Sequence, residues 1–223
     1  MKTKNRMHLI VTATIVVLAG GICLASDDND FQYWSAASFS FDLDKDWKAV
    51  VTEELRLGES GGDFYYQHTE MGLVYSGLAD WLDVGFDYRQ ISEKDSTGAW
   101  RDEHRPQLNV TLKTKLLGLD WADRSRFEYR DRENKKDLWR YRNKLTLKLP
   151  VELTELKLKP YIAEEVFINL DEEGYNRNRL YAGASFKLAG NLKGEIFYMW
   201  QTTRTGGVCN DINVIGTKLG FTF

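Results

Sequence analysis

The chain has 223 residues, with 30 basic against 33 acidic side chains and a net charge of −3. That length suffices for one domain with a sizeable core. The acidic balance argues against a nucleic-acid partner, because a protein that neutralises phosphates is basic overall or in one module.

The chain opens with MKTKNRMH, which carries Lys2, Lys4 and Arg6. The apolar run LIVTATIVVLAGGICLA and the acidic SDDND follow. A cationic end, a short apolar run and a small residue at the break describe a secretory signal peptide. Leu9 to Ala25 is shorter than the roughly 20 predominantly apolar residues of a spanning helix. It is also interrupted by Thr12, Thr14, Gly20 and Gly21. Cleavage is therefore expected after Ala25, leaving 26–223 as one mature domain; an uncleaved anchor is the alternative. Ile22 precedes Cys23 where a lipid-modification signal wants a small residue, which argues against lipidation. Residues 1–25 hold three basic and no acidic residues, so 27 basic remain against 33 acidic, or −6. Cys23 leaves with the leader, and the mature chain, with Cys209 alone, is expected to form no intramolecular disulfide. Such a domain must be stable by a large core, a closed sheet or a membrane.

From residue 31 onward, segments of about 10 residues alternate with period two, which is the strand signature. The first spans 31–41. In WKAVVTEELRL (47–57), Lys48, Thr52, Glu54 and Arg56 oppose Trp47, Ala49, Val51, Leu55 and Leu57. The segment 64–76 puts His68 and Glu70 on one face, with Ser76 farther along. In WLDVGFDYRQ (81–90), Asp83, Asp87 and Arg89 oppose Leu82, Val84, Phe86 and Tyr88. In RDEHRPQLNVTLK (101–113), Glu103, Arg105, Gln107, Asn109, Thr111 and Lys113 oppose Pro106, Leu108, Val110 and Leu112. RSRFEYR (124–130) sets Arg124, Arg126, Glu128 and Arg130 against Phe127 and Tyr129. LWRYRNKLTLKLP (138–150) sets Arg140, Arg142, Lys144, Thr146 and Lys148 against Trp139, Tyr141, Leu145, Leu147 and Leu149. Segments follow at 157–168, which holds Glu165, and at 177–188. The latter sets Arg177, Arg179, Ser185 and Lys187 against Leu180, Ala182, Ala184, Phe186 and Leu188. The last two span 193–203 and 211–223.

The basic run from Arg124 to Lys144 thus resolves into two strands and a polar loop, DRENKKD. Connections are expected to alternate between short ones, such as DLDKD and PVELTE, and long polar ones, such as SEKDSTGAW and TRTGGVCND. That alternation is the loop pattern of an up-and-down outer-membrane barrel. Trp81, Trp121, Trp139, Tyr161, Tyr198 and Trp200 stand near strand ends and suit interfacial girdles. The C-terminal KLGFTF places Leu219, Phe221 and Phe223 on one face. It is similar to the last strand of many bacterial outer-membrane proteins, where it serves barrel assembly.

The fold expected is all-β: an antiparallel up-and-down transmembrane β-barrel of 10–12 strands in the bacterial outer membrane. Closure follows because hydrocarbon leaves every backbone polar group of an open edge unpaired. The segments number about eleven, but single-chain bacterial barrels carry an even number. Ten or twelve is therefore expected, with twelve preferred. The alternative is a soluble exported barrel or sandwich, with the aromatic face inside and the charges in water.

EELRL (53–57), PYIAEEVFINL (160–170), NRNRLYAGASFKL (176–188), FYMWQ (197–201) and the terminal LGFTF resemble one bacterial family, catalogued as domain of unknown function 2490. The resemblance covers most of the mature chain. It implies a small outer-membrane barrel and leaves the activity unnamed. Size and charge are also similar, in architecture alone, to twelve-stranded porins for acidic oligosaccharides.

With apolar faces outward, the charged faces converge in a lumen: Glu54, Arg56, Glu70, Asp87, Arg89, Glu103, Arg105, Arg124, Arg126, Glu128, Arg130, Arg140, Arg142, Lys144, Glu165, Arg177, Arg179 and Lys187. These groups either brace the wall by pairing, which the planar fork of Arg favours, or leave a positive track that draws small anionic solutes through a narrow pore. Glu53 and Glu164 fall on the outward faces and are expected near an interface. An enzyme acting on lipid would need a nucleophile, base and orienter in reach. His68, Glu70 and Ser76 are the nearest approach to one; His104 faces outward, and no G-x-S-x-G elbow is present. His68 reads better as a polar lumen or rim residue. No metal spacing and no cofactor motif is present. The partners expected are outer-membrane lipid, the barrel-assembly machinery and small anions.

Overall fold

The computed structural model describes residues 30–171 and 174–223. The expected signal peptide, residues 1–25, lies outside the described residues. Eleven strands follow one another: β1 (Asp30–Asp42), β2 (Trp47–Gly58), β3 (Asp63–Ala79), β4 (Leu82–Lys94), β5 (Trp100–Leu116), β6 (Leu119–Arg132), β7 (Leu138–Lys148), β8 (Lys159–Asn169), β9 (Gly174–Lys187), β10 (Leu192–Thr205) and β11 (Val208–Thr222). Among the described residues there is no α-helix, and one 3-10 turn covers Glu59–Gly61.

Each strand pairs with its chain neighbours, and β11 returns to β1 to close a barrel. The strand number is eleven, not twelve. No two sequence segments merge or divide; the eleven alternating runs are the eleven strands. An odd count has one geometric consequence. In an up-and-down meander, β1 and β11 then run in the same sense, so the closing seam is parallel while every other pairing is antiparallel. The seam runs from Asp30↔Ile212 to Ser40↔Thr222. It is extended by Asp42 N donating to Phe223 O and Phe223 N donating to Ser40 O. On its outer side Phe39 stacks on Phe221 at 5.1 Å and Phe41 on Phe223 at 5.4 Å. The Phe residues of the C-terminal strand thus staple the seam.

We call the end where β1 begins the upper rim and the end where β11 finishes the lower rim. The lower rim carries connections 43–46, 80–81, 117–118, 149–158 and 188–191; the upper rim carries 59–62, 95–99, 133–137, 170–173 and 206–207. The expected alternation of lengths is not realised. The longest connection, 149–158, lies on the rim expected to be short, where it folds on itself through a Leu153↔Leu158 bridge. The stretch read as a long loop near residue 206 is a two-residue turn. Gly206 and Gly207 both adopt positive φ, 58° and 83°, as a primed hairpin turn requires. Strands β10 and β11 therefore run on to the rim.

Alternation fixes the faces. Met71, Leu73, Phe86, Leu108, Phe127, Ile162, Ile196, Tyr198 and Leu219 are exposed on the outside, while the charged residues of the same strands are buried inside. The inverted arrangement, with the aromatic face as the core, is not the one adopted. Of the aromatics read as girdle residues, Trp81, Trp139 and Tyr198 are exposed on the outer side, Tyr198 in the middle of β10 rather than at its end, and Tyr161 is buried inside. Glu53 and Glu164 do face outward. Each lies mid-strand rather than at a rim and accepts a hydrogen bond from a neighbouring strand, Thr69 to Glu53 at 2.6 Å and Asn178 to Glu164 at 2.8 Å. Cys209 is buried and is not a free thiol, contrary to the expectation that it stands alone.

Candidate functional site

Strand alternation alone aims the even side chains of β2 and β7 and the odd side chains of β5 and β9 into the lumen. Closure then brings distant strands together. Arg126 of β6 reaches Glu70 of β3 at 3.7 Å, and Gln107 of β5 donates to the same carboxylate at 3.1 Å. Neither pair lies on adjacent strands, so these contacts cross the interior.

Two carboxylates organise the interior. Glu128, with 0% of its side chain exposed, accepts from Arg140 at 2.5 and 2.7 Å and from Arg142 at 2.8 Å, with Arg105 at 3.9 Å. Glu165, at 1%, accepts from Arg142 at 2.6 Å, Arg124 at 3.0 Å and the Tyr181 hydroxyl at 3.0 Å, with Arg179 at 3.7 Å. Arg142 bridges the two. Glu103 continues the chain toward the upper rim, held by both nitrogens of the Arg130 fork at 2.7 Å and by Arg105 at 2.5 Å. Glu70 holds Arg89 at 2.5 Å, and Asp87 accepts from Asn109 and Arg126. Glu54 holds Arg56 at 2.6 Å, and that guanidinium lies between the rings of Trp34 and Tyr66, at 3.6 and 3.8 Å.

The register explains why the network must share. Arg126 lies opposite Arg142, and Arg89 opposite Arg105. Like charges directly opposite destabilise a sheet. Each such pair therefore splits toward different carboxylates, Arg126 to Glu70 and Asp87, Arg142 to Glu128 and Glu165. Buried ion pairs persist only where further hydrogen bonds satisfy their remaining polar atoms. Bidentate arginine supplies them.

All seventeen residues from Glu54 to Arg179 named as lumen-lining carry partly or fully buried side chains on the inward face. Fifteen join one or more ion pairs within 4.0 Å. Lys144 instead caps the Tyr181 ring at 3.8 Å. The Arg177 side chain makes no hydrogen bond and no ion pair among the described residues; its Nε is buried without a partner. Lys187, named with them, is exposed at the end of β9 and stands outside the network.

The other side of the lumen is largely apolar, with one ion pair, Lys218 to Glu195 at 2.7 Å. Trp34, Tyr161, Ala163, Tyr181, Phe197, Met199 and Val214 form one buried cluster, carried by β1 and β8 to β11. From these strands the sequence pattern assigns only Glu165, Arg177, Arg179 and Lys187 to the lumen. The missing signal is legible in GEIFYMWQ, where Ile196, Tyr198 and Trp200 alternate with Phe197 and Met199. Apolar residues on both parities mark a strand whose inner face is apolar as well as its outer one.

Two cavities flank the network. The upper one, about 480 Å³, is lined by Glu93, Lys94, Arg101, Glu103, Arg130 and Lys135 among others. The lower one, about 270 Å³, is lined by Thr52, Glu70, Asp83, Asp87, Arg124 and Arg126 among others, with Gly72 and Gly85 leaving its floor open. Gly72 has no room for a side chain, because a Cβ there would overlap the Asp87 carboxylate. His68 is buried, with Nδ1 3.0 Å from the Tyr66 hydroxyl and 3.9 Å from Glu54. Ser76 lies past the register break after Tyr75 and donates to Asp83. Among the described residues, no group of three or more His, Cys, Asp or Glu side chains is placed to hold a metal.

The family model described as a protein of unknown function (DUF2490) matches residues 31–213. The comparison with curated proteins found no match, and the comparison with solved structures found none.

Proposed function

The chain belongs to the DUF2490 family of proteins of unknown function, and from that premise we propose that it is an outer-membrane β-barrel closed at mid-height by its arginine–carboxylate belt. The observation that carries this reading is the inversion of polarity: exposed Met71, Phe86, Leu73 and Ile162 outside, buried Glu128, Arg140, Arg142 and Glu165 inside. In water such an apolar outer band is an aggregation surface; in hydrocarbon it is the solvated face. This counts against a soluble periplasmic binding barrel.

The closed state rests on packing. Glu128, Glu165, Gln107, Phe167, Met199 and Val214 sit at or near zero exposure, and a water-filled channel would wet its wall. Barrels of about eight strands are filled by side chains, and those of 16 to 18 are open; eleven strands with long arginines fall on the filled side. The barrel's partners are then lipid, along the outer band, and the assembly machinery, through the strand ending in Phe221 and Phe223. A narrow anion pore is the second reading. It is favoured by eleven lumen cations against six carboxylates in the seventeen-residue set.

The first test is electrophoretic mobility of the membrane fraction with and without heating. A soluble protein with no shift overturns the barrel-in-membrane reading. The second is conductance in planar bilayers. No reproducible conductance is expected. A steady, anion-selective current that falls on Arg140→Gln or Arg142→Gln establishes the pore instead.

A further inference from the structure

In the lower chamber, a space of about 270 Å³, the two signs of charge stand apart. Its three lining carboxylates, Glu70, Asp83 and Asp87, belong to β3 and β4, and its two lining guanidinium groups, Arg124 and Arg126, belong to β6. Asn109 and Thr111 of β5 stand between the two rows. Each acid uses one oxygen. Glu70 accepts from Arg89 and Gln107 on Oε2, Asp83 from Ser76 and Lys113 on Oδ1, and Asp87 from Asn109 and Arg126 on Oδ2. The second oxygen of each accepts no hydrogen bond among the described residues. The bases have donors to spare as well. Arg126 gives Nε to Asn109 at 2.5 Å, but its Nη2 is 3.4 Å from Asp87 and its Nη1 3.7 Å from Glu70. The tight pairs of the belt, Arg89 to Glu70 and Arg142 to Glu128, close to 2.5 and 2.8 Å. Arg124 gives Nη2 to Glu165 at 3.0 Å, and its Nη1 makes no hydrogen bond among the described residues.

Above this chamber, Arg89 on β4 and Glu128 on β6 are the single inward residues between its lining and that of the upper one. The layout of charge selects the ligand. An anion here meets three carboxylates, and a cation meets two guanidinium groups. A molecule with an ammonium at one end and a carboxylate at the other meets opposite charge at both. An ammonium donates three hydrogen bonds and a carboxylate only accepts them; guanidinium N–H groups receive that carboxylate in pairs. The space is smaller than the pocket of a drug-sized ligand, so the molecule is a small one.

We propose that the lower chamber is a binding site for a small zwitterion of the amino-acid class. The open oxygens of Glu70, Asp83 and Asp87 take its ammonium, and the spare N–H groups of Arg124 and Arg126 take its carboxylate. The ligand replaces the two long contacts of Arg126 with short ones. The site rests on the closed-belt reading in one respect, since a chamber blocked from above retains a ligand that an open pore would pass.

The test is calorimetric titration of the whole barrel, purified in a non-ionic detergent, with L-serine, with 2-aminoethanol, which lacks the carboxylate, and with glycerate, which carries a hydroxyl in place of the ammonium. Saturable binding of L-serine is expected, with the two singly charged compounds about tenfold weaker or more. Arg126→Gln should weaken L-serine binding by about tenfold or more. Gly85→Leu tests the space with every charge in place. A Cβ at Gly85 meets only ordinary contacts, with Leu73 O at 3.4 Å and Asn109 Cβ at 3.7 Å, and the longer side chain fills the chamber that this glycine lines. It should abolish binding. Heat-modifiable mobility verifies that each variant is folded, and Gly85→Leu decides alone if Arg126→Gln does not fold. Lys135→Gln, in the upper chamber, serves as the control and should bind as the parent does. No binding of L-serine, equal binding of either singly charged compound, unchanged binding by Gly85→Leu, or equal loss in Lys135→Gln overturns the proposal. Bilayer conductance is scored separately: a conducting barrel that still binds L-serine through Arg126 refutes the closed belt and leaves the site standing.

Discussion

The two sides of this lumen are packed by opposite means. Between β3 and β8, Glu128, Glu165, Glu103 and Glu70 hold a chain of guanidinium groups. From β9 through β11 to β1, Phe197, Met199, Val214, Trp34 and Tyr181 make an ordinary apolar core. Both bury their side chains about equally, yet they fail differently. Truncating an apolar side chain removes buried area at one place. Removing a carboxylate from the belt weakens the pairing of several buried cations at once, because most of these acids serve more than one arginine. The charged side is therefore the cooperative one, and it is also where both cavities open.

The largest expected effect is on the charged side. Glu128→Gln leaves Arg140 without a carboxylate, and Arg105 and Arg142 with one each, and should cost about 4 kcal/mol, read as a drop in the urea midpoint of the barrel in lipid vesicles. Adding Arg140→Gln should recover part of that loss, since removing both partners of a buried pair is far milder than removing one. No recovery would mean that the belt is not electrostatically coupled.

Met199→Ala, on the apolar side, should cost about 3 kcal/mol by the same measurement, and no charge substitution should rescue it. Rescue by a belt variant would erase the distinction between the two sides.

At the parallel seam, Phe221→Ala removes one stacked ring and should cost about 1 kcal/mol once the barrel is formed. A greater effect on yield in the membrane than on the urea midpoint would assign the C-terminal strand a role in assembly. A midpoint shift without a yield effect would confine it to the seam.

The smallest effect is at the upper rim. The Thr97 hydroxyl first, then Arg101, hold the Asp95 carboxyl well below the usual carboxylate range. A depressed folded-state value contributes order that is present above the ordinary aspartate value of 3.8 and is lost as pH falls below it. Asp95→Asn should therefore speed proteolytic nicking of the 95–99 loop at neutral pH and leave the urea midpoint unchanged. Parent and variant should converge in acid. A global shift would place this loop inside the cooperative unit.

Most of the wall can be read residue by residue. Period two in RSRFEYR and LWRYRNKLTLKLP separates Arg126, Glu128, Arg140 and Arg142 from Phe127, Tyr129, Trp139 and Tyr141, and the structure keeps that division. Tyr161 is misassigned to a girdle because alternation in one strand does not say which of two apolar faces is the inner one. Only its neighbours Phe197 and Glu195, brought alongside by β9 and β10, decide that. Eleven runs are legible along the chain, yet parity argues for an even number, because nothing local to β1 or β11 announces that they pair in parallel.

What the amino-acid sequence by itself determined is the number of alternating runs, the face each charged side chain occupies, and hence an interior rich in arginine and glutamate. Those follow from a period of two residues, which is a property of the backbone. What only the tertiary structure decided is the closure and the accounting of charge inside it. Register and curvature chose which cations share Glu128 and Glu165, split the lumen into a charged and a largely apolar side, and left the Arg177 Nε without a hydrogen-bond partner among the described residues. Ion pairing depends on distances of a few ångströms between strands far apart in the chain, and no spacing along the sequence encodes them.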